Sequence, residues 1–592
     1  MKRFFLTTLI LFFALTSVHA GGTSLKAIIT STDGNTEELD VFISENWDTD
    51  GYLSAGFSDD ASHIYFLNTN GVTIAYPVDY IASIAFEKYT FEGNNQATPY
   101  STDFDVAFSD DDETAYTSVT EKITATETAT NDYGDFVENF EDDDESKGTV
   151  TITWSGSTAN VAFSPSSLSG TAAVVASGTA ADVVIYASKK LDFVLKGSSS
   201  DGSLTLYSAK KCKMTLDGVT LTNSDGAAIN MPKKTVGAVA YGGKTCYVDL
   251  KGTSTLVDGT TYSSAISGED MKATLFSEGQ FIFSGTGTLN VTSRYGHGIA
   301  SDDYIRIRGG KHNPVININS VKDGISTNDY LLMYGGTVTV TAADDGLDVE
   351  KGYVAINGGR LTVNATDEGI MASYQGENDG TIDASINPSI TVAGGLVTVT
   401  TTGDKGHALR ARRDITVSGG IVRATVNGAG SKAINADGKV NVTGGKITSM
   451  VNGLPIYDDE EADLSSAAAI RSKGVLTVSG NAVVALKATA DGGKGINSTG
   501  SVTLSGTPSV TIVTLGSKYT SGSNTSRARG LTADAGLTLN GTPTLRVRSL
   551  DDALYTPATL TVSGGTLQAF STDATSLRYT TLQHTAGWLA YN

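Results

Sequence analysis

A glycine-centred repeat constrains the fold of this 592-residue chain more than any other feature. Short strand-like segments are joined at Gly-Gly, Ser-Gly or Asn-Gly pairs, and six of the nine steps between successive pairs are 23 to 26 residues long. A period in the twenties without a helical pattern is typical of a solenoid in which each repeat is one turn. The glycines that end these pairs are Gly310, Gly336, Gly359, Gly395, Gly420, Gly445, Gly480, Gly506, Gly541 and Gly565.

Apolar and polar residues alternate within the repeats, as in residues 336–341, and this period of two indicates strands with one buried and one exposed face. The Leu-x-x-Leu-x-Leu signature of a leucine-rich horseshoe is absent. We therefore predict an all-β chain with a right-handed parallel β-helix over residues 148–592. Equivalent residues of successive turns then lie about 4.8 Å apart and form ladders.

The N-terminal part of the sequence indicates a signal for export, followed by two further segments. Lys2 and Arg3 precede an apolar run that ends in Val18-His19-Ala20, which is typical of a secretory signal peptide over residues 1–20. A small β domain is expected over residues 22–97 and an acidic linker over residues 98–147, where 16 acidic residues lie between positions 103 and 145. The mature protein is expected to be secreted, either released or held in the periplasm or at the cell surface.

Charge and cysteine content restrict the partners. The formal net charge of −22 argues against nucleic acid and anionic membranes as ligands, and no membrane-spanning segment is expected. Cys212 and Cys246 either form one disulfide or stack as small buried side chains on successive turns. A monomer is expected.

A second landmark in each turn is Gly or Ala followed by Ile or Leu, and the residue before it forms an informative ladder. Acidic residues dominate three successive turns of this ladder and the positions beside it. The ladder runs His297, Asp323, Asp345, Glu368, His407, Lys432, Ala468, Lys494, Arg529 and Asp552. The candidate metal ligands are Asp323, Asp344, Asp345, Asp348, Asp367 and Glu368.

Carboxylates about 4.8 Å apart repel each other unless a cation lies between them. Ca²⁺ accepts six to eight oxygens at roughly 2.3–2.6 Å in a flexible geometry, whereas Mg²⁺ is more demanding and Zn²⁺ prefers Cys or His. The pattern therefore predicts a calcium site, with Asp323, Asp344, Asp345 and Asp348 as a first set of ligands. The alternative is that each Asp before Gly only caps its own turn.

Basic residues follow the acidic ones on the same predicted face. A polyuronate carries one carboxylate per sugar, and a guanidinium binds such a group through two hydrogen bonds. The alternative is simple charge compensation of the acidic ladder. The candidate polysaccharide-binding residues are Lys405, His407, Arg410, Arg412 and Lys432, with Arg413 adjacent.

Several runs resemble secreted bacterial carbohydrate-binding β-helix proteins: CKMTLDGVTLTNSDGAAIN (212–230), YGHGIASDD (295–303), GGTVTVTAADDGL (335–347) and DEGI (367–370). The resemblance extends from about residue 148 to the early four hundreds and implies calcium binding and affinity for polygalacturonate and plant cell-wall material. Residues 344–348 (DDGLD), with Asp323 one turn earlier, resemble the primary calcium cluster of the family 9 pectate lyases, whose fold is similar.

Three functions stay open at this point. The first is a non-catalytic protein that binds polygalacturonate or pectin through calcium and basic residues. The second is a calcium-dependent pectate lyase, in which Lys405 or Lys432 removes the proton next to the carboxylate. The third is a structural or adhesive surface protein. None of the three tryptophans lies on the repeat faces, although Tyr304, Tyr330, Tyr334 and Tyr353 offer rings for single sugars.

Overall fold

The computed structural model describes residues 23–41, 54–58, 62–67, 72–90, 105–106, 148–170, 172–176, 181–263, 271–374, 386–459 and 462–592. The predicted signal peptide and all but residues 105–106 of the predicted acidic linker lie outside them. Within the described ranges, no helix is long and apolar enough to cross a bilayer.

The chain divides into two compact units, the first made of residues 1–107, 459–464 and 474–592 and the second of residues 108–458 and 465–473. This division does not follow the order of the predicted domains, whose boundaries stay predictions.

Three parallel sheets, here called A, B and C, build the second unit, and each turn of the chain contributes one strand to each sheet. Sheet A contains Cys212–Asp217, Cys246–Lys251, Phe281–Gly285, Ile305–Ile307, Tyr330–Met333, Tyr353–Ile356, Ile390–Val392, Ile415–Val417 and Val440–Val442. Sheet B contains Thr220–Thr222, Thr253–Val257, Thr288–Thr292, Val315–Ser320, Thr337–Ala342, Arg360–Ala365, Leu396–Thr401, Ile421–Val426 and Lys446–Val451. Sheet C contains Asp182–Ala187, Ser203–Ser208, Ile229–Met231, Ala273–Ser277, His297–Ser301, Ile325–Thr327, Leu347–Val349, Ile370–Ala372, Leu409–Ala411, Lys432–Ala436 and Ala468–Ser472.

Further strands lie at the start of this unit and between its turns. Strand Asp192–Ser199 pairs with both sheets A and B, and it also pairs with Thr149–Ser155. The others are Thr158–Ser164, Ala172–Ala176, Lys234–Val236, Val239–Tyr241 and Ile456–Asp458, with a 3₁₀ turn at Ser166–Gly170.

The parallel β-helix is confirmed by the register of sheet C. The apolar residue of the second landmark stacks on its equivalent in the next turn, and these side chains are buried in the interior. This ladder runs Ile299, Ile325, Leu347, Ile370, Leu409, Ile434 and Ile470, and Leu275 of the preceding turn stacks on Ile299. All ten glycines that end the repeat pairs have a positive φ, between 62° and 87°. Glycine adopts this backbone conformation readily because it has no Cβ, which suits it to these turns.

The two cysteines follow the stacking alternative. Cys212 and Cys246 are register partners on adjacent strands of sheet A, and both are buried free thiols. Burial raises the pKa of Cys246 well above its usual range, because it disfavours the thiolate.

The first unit contains the last turns of the sequence and the N-terminal strands. Its turns comprise Leu476–Val478, Val483–Ala488, Lys494–Ser498, Val502–Gly506, Ser509–Thr514, Leu531–Ala533, Leu537–Gly541, Thr544–Ser549, Leu554–Ser571 and Leu577–Tyr591. Two hairpin strands, Tyr519–Ser521 and Asn524–Ser526, extend from them, and strand Asp463–Ser465 begins in this unit. The N-terminal strands are Thr23–Ser31, Thr36–Val41, Ser54–Phe57, His63–Leu67, Thr73–Pro77 and Ile81–Thr90, with a 3₁₀ turn at Val78–Tyr80.

The N-terminal strands share a hydrophobic core with these turns. Ile64, Ile74 and Tyr76 pack in one buried cluster with Phe570 and Ala590. Strand Thr73–Pro77 also pairs antiparallel with the last strand, which places Thr73 opposite Tyr591. The N-terminal strands are thus an integral part of this unit.

Candidate functional site

The predicted acidic ladder lies where the chain passes from sheet B to sheet C of the second unit. Backbone hydrogen bonds stack its members turn by turn. The Gly298 N–H donates to the Asp323 carbonyl at 3.0 Å, the Gly324 N–H to that of Asp345 at 2.9 Å, and the Gly346 N–H to that of Glu368 at 2.8 Å. The Gly369 N–H donates to the His407 carbonyl at 2.7 Å and the Ala408 N–H to that of Lys432 at 3.1 Å, which continues the same column.

Three carboxylates converge at the centre of this corner and are here called the acidic triad. Oxygen atoms of Asp344, Asp345 and Asp367 all lie within 4.8 Å of one another. Backbone donors hold the neighbouring carboxylates in place: the Glu368 N–H donates to Asp345 Oδ1 at 2.8 Å and the Asp345 N–H to Asp323 Oδ1 at 3.3 Å. The carboxylates of Asp345 and Asp323 thus accept backbone hydrogen bonds from the next turn, as turn caps do. The three carboxylates of the acidic triad nevertheless lie close together.

The proton affinities of these groups are strongly perturbed. Burial, followed by the charge of Asp323, raises the pKa of Asp345 to about 7 and that of Asp348 to about 8. Burial and the charge of Asp345 raise the pKa of Glu368 to about 9, and burial and Asp323 also raise that of Asp344. Without a cation, the carboxylates at this corner are not all ionised near neutral pH. A bound cation would favour the ionised form of each of them.

The donor set fits a hard cation. Every candidate ligand is a carboxylate oxygen, which suits Ca²⁺. Asp348 contributes a buried Oδ1 that has no hydrogen-bond partner in the described part of the chain. One carboxylate oxygen of Asp323 already has a partner, because Oδ2 lies 3.0 Å from His297 Nδ1. The carboxylates that could hold such a cation are thus the acidic triad, with Asp348 and Glu368 beside it.

Two of the predicted basic residues meet at a carboxylate that sequence reasoning missed. Asp437 lies 3.0 Å from Arg410 Nη2 and 3.5 Å from Arg412 Nη1 through Oδ2, and 3.4 Å from Arg471 Nη1 and 3.0 Å from Lys473 Nζ through Oδ1. Although burial alone would raise its pKa, Arg410 and Lys473 hold the pKa of Asp437 far below its usual range. This Asp437 cluster combines four cations with one anion.

A pattern in the sequence would have revealed the cluster. Strand register aligns Arg410 with Asn435 and Arg471 in three successive turns. Two residues further on, Arg412, Asp437 and Lys473 occupy equivalent positions. Reading both positions together predicts a carboxylate surrounded by cations from the turns on either side.

The other predicted basic residues make contacts within the fold. Lys405 Nζ lies 3.0 Å from Asp458 Oδ2. Lys432 is buried, and its Nζ donates to the Gly430 carbonyl and to Ser465 Oγ, both at 2.7 Å. His407 is buried and accepts the Lys432 N–H at Nδ1 over 3.1 Å. Burial, followed by the charge of Lys432, lowers the pKa of His407 well below its usual range, so this imidazole is neutral.

The tyrosines singled out in the sequence stack on one another. The rings of Tyr304 and Tyr330 are parallel with centroids 4.5 Å apart, and Tyr353 continues the stack at 5.2 Å from Tyr330. Tyr304, Tyr330 and Tyr334 are buried in one cluster. Their ring faces are therefore covered by neighbours, which leaves little of them for a sugar.

Residues 179–453 match a family model described as "Carbohydrate-binding domain-containing protein". This segment resembles a carbohydrate-binding domain. It contains the acidic triad and, of the Asp437 cluster, Arg410, Arg412 and Asp437. No curated protein matches the chain.

A solved structure of the polysaccharide lyase-like protein from C. thermocellum, a gadolinium derivative, is also similar. It is 18% identical, the match covers 52% of this chain and 96% of that chain, and the TM-score is 0.30.

Proposed function

We propose that this protein binds an acidic polysaccharide of the polygalacturonate type, through calcium at the acidic triad and through the Asp437 cluster, and that it does not cleave the polymer. The observation that carries the proposal is the convergence of the acidic triad within a segment that resembles a carbohydrate-binding domain. The predicted signal peptide supports a location outside the cytoplasm, where both calcium and such polymers are met.

Strand register aligns Asp348, which lies beside the acidic triad, with Arg410 of the Asp437 cluster. Asp348, Met371 and Arg410 occupy the same register position in three successive turns. At about 4.8 Å per turn, Arg410 lies roughly 10 Å from Asp348 along the axis. A chain that carries a carboxylate on every sugar can therefore reach both clusters at once.

Electrostatics require such local sites. The chain has a formal net charge of −22 and should repel a polyanion at long range. That repulsion is screened within about 8 Å at physiological ionic strength, whereas direct contacts are screened much less. A bound calcium ion supplies a Lewis-acidic centre that accepts carboxylate oxygens. Arg410 and Arg412, oriented by Asp437, supply hydrogen-bond donors for a second carboxylate.

Calcium-dependent binding of free carboxylates is the feature to test. Isothermal titration should show binding of de-esterified polygalacturonate in millimolar calcium, and little binding of the methyl-esterified polymer, because a neutral ester ligates calcium and pairs with arginine poorly. EGTA should nearly abolish the binding, and moderate salt should weaken it only slightly. Equal binding of both polymers in the presence of EGTA would exclude this mechanism and favour adhesion without a carboxylate site.

The lyase alternative requires a lysine that can accept a proton. Lys405 is exposed but its ammonium group is paired with Asp458, and Lys432 is buried among hydrogen-bond acceptors, so both candidate bases are engaged in contacts within the fold. Incubation with polygalacturonate and calcium should therefore produce no unsaturated, ultraviolet-absorbing sugars. Products that disappear in Lys405→Ala would replace the binding proposal with an enzymatic one.

A further inference from the structure

We infer that Tyr295, supported by Tyr262, forms an aromatic platform that stacks on one pyranose ring of the polysaccharide, next to the acidic triad. This inference rests on the proposed function and adds a second kind of recognition to it. The charged clusters select carboxylates, whereas a flat ring selects the apolar face of a sugar.

The platform is exposed and held in place. Tyr295 is 47% exposed, and its ring centroid lies 4.5 Å from that of the half-buried Tyr262. The Tyr262 hydroxyl donates to Asp258 Oδ2 at 2.6 Å, and Asp258 is completely buried. Burial and this hydrogen bond raise the pKa of the Tyr262 hydroxyl, so it stays a donor.

The turn that carries Tyr295 is fixed by the same carboxylate. The Arg294 N–H and the Ser293 hydroxyl both donate to Asp258, the latter at 2.9 Å. The Gly296 N–H donates to Ser293 Oγ at 3.1 Å, which closes the turn on the other side of the tyrosine. Because the backbone on both sides is tied down, the ring is presented with little conformational entropy left to lose on binding.

The position of the turn connects it to the charged site. Tyr295 precedes His297 by two residues, and His297 Nδ1 lies 3.0 Å from Asp323 Oδ2. Asp323 in turn accepts the backbone N–H of Asp345. The platform thus lies two turns, or roughly 10 Å along the axis, before the acidic triad. An extended sugar chain held at the triad can continue over the ring.

A single exposed tyrosine is common on protein surfaces and by itself indicates no ligand. Here, however, the ring packs at a 32° tilt against a second ring whose hydroxyl is anchored by a buried carboxylate, and both lie within the segment that resembles a carbohydrate-binding domain. A polyuronate is the occupant that fits, since one sugar ring offers an apolar face to Tyr295 and the carboxylate of a sugar further along the same chain can reach the triad.

The test compares variants at position 295 in their binding of a polygalacturonate oligosaccharide by titration calorimetry, at saturating calcium. Tyr295→Ala and Tyr295→Leu should weaken binding roughly 3- to 10-fold, which is the range expected for one aromatic contact. Tyr295→Phe should bind like the wild type, because it keeps the flat ring. Tyr579→Ala, which removes a 39% exposed tyrosine of the other unit, is the control and should change nothing.

The outcomes separate the platform from the proposed function. Calcium affinity should be the same in Tyr295→Ala and the wild type, because Tyr295 is not part of the acidic triad, and a cooperative thermal transition shows that each variant is folded. Unchanged sugar affinity in Tyr295→Ala, with calcium-dependent binding intact, would overturn the platform alone. A wild-type protein that binds no polygalacturonate at any calcium concentration would overturn both proposals.

Discussion

Replacing Asp345 by asparagine should make the second unit more stable without calcium and less stable with it. Asp345 is at the centre of the acidic triad, whose carboxylate oxygens lie within 4.8 Å of one another. With its pKa raised to about 7, it is ionised at pH 8, and it takes part in two of the three pairwise repulsions. Asparagine removes that charge and can still accept the Glu368 N–H, which lies 2.8 Å away in the wild type.

The magnitude follows from Coulomb's law. Two unit charges 4.8 Å apart repel by about 3 kcal/mol at an effective dielectric constant of about 20, and by about 1 kcal/mol in bulk water. Asp345 takes part in two such repulsions and Asp344 is exposed, so the free energy of unfolding of Asp345→Asn in EGTA should exceed that of the wild type by roughly 2 kcal/mol, twice the figure for bulk water. Calcium at a hundred times its dissociation constant should stabilise the wild type by about 2.7 kcal/mol, and the variant, which lacks one ligand, by much less.

The assay is urea unfolding at pH 8, in EGTA and in millimolar calcium. Asp404→Asn is the matched control, since Asp404 Oδ1 also accepts a backbone N–H of the next turn, that of Ala429 at 2.8 Å, but Asp404 is not part of the triad. For Asp404→Asn, the order of stability relative to the wild type should be the same in EGTA and in calcium. If Asp345→Asn is less stable than the wild type in EGTA, or if calcium stabilises both equally, the corner is a set of turn caps and not a cation site.

Three further outcomes are expected. Arg410→Ala should weaken polygalacturonate binding roughly 10- to 100-fold in titration calorimetry, because it removes the proposed charge-assisted hydrogen bond to a sugar carboxylate. Gly324→Ala should lower the free energy of unfolding in urea by about 1–3 kcal/mol, since an added Cβ would lie 2.1 Å from Val340 Cγ1. Burial lowers the pKa of His584 from 6.5 to about 4, so the unfolded chain binds this proton first as the pH falls. Stability should fall by roughly 3 kcal/mol more in the wild type than in His584→Gln between pH 6.5 and pH 4, as followed by urea midpoints.

Each of these expectations has a result that contradicts it. Wild-type affinity in Arg410→Ala would show that the Asp437 cluster is only an internal salt-bridge network. A neutral Gly324→Ala would mean that successive turns can separate locally to admit a methyl group. Parallel pH profiles of the wild type and His584→Gln would mean that the imidazole takes up its proton without unfolding.

The ladders were predictable because strand stacking preserves register. Once the Gly/Ala–Ile/Leu landmark is aligned, the positions of Asp323, Asp345 and Glu368 follow from chain geometry alone, and the structure confirms that column. The same logic predicted Arg410 as a member of the basic face. The Asp437 cluster was missed because its central carboxylate lies two residues beyond the position that was aligned.

Other features depend on contacts that no local pattern encodes. The burial of Tyr304 and Tyr330 results from stacking between side chains that the period of two leaves on the outer face. The state of Cys212 and Cys246 was open because both a disulfide and simple stacking fit adjacent rungs. The turn at Tyr295 was noted for its resemblance, but its support by Asp258 comes from a turn 35 residues earlier.

The pairing of strand Thr73–Pro77 with Leu577–Tyr591 has a consequence for the order of folding. Most contacts of the solenoid join residues one turn apart, whereas this pairing joins positions about 500 residues apart. During synthesis, the N-terminal strand leaves the ribosome long before its partner exists. One of its edges pairs with strand His63–Leu67, but the edge that will face the last strand stays unpaired while turn after turn is added. Since distant contacts form slowly, this clasp should be among the last parts of the protein to form.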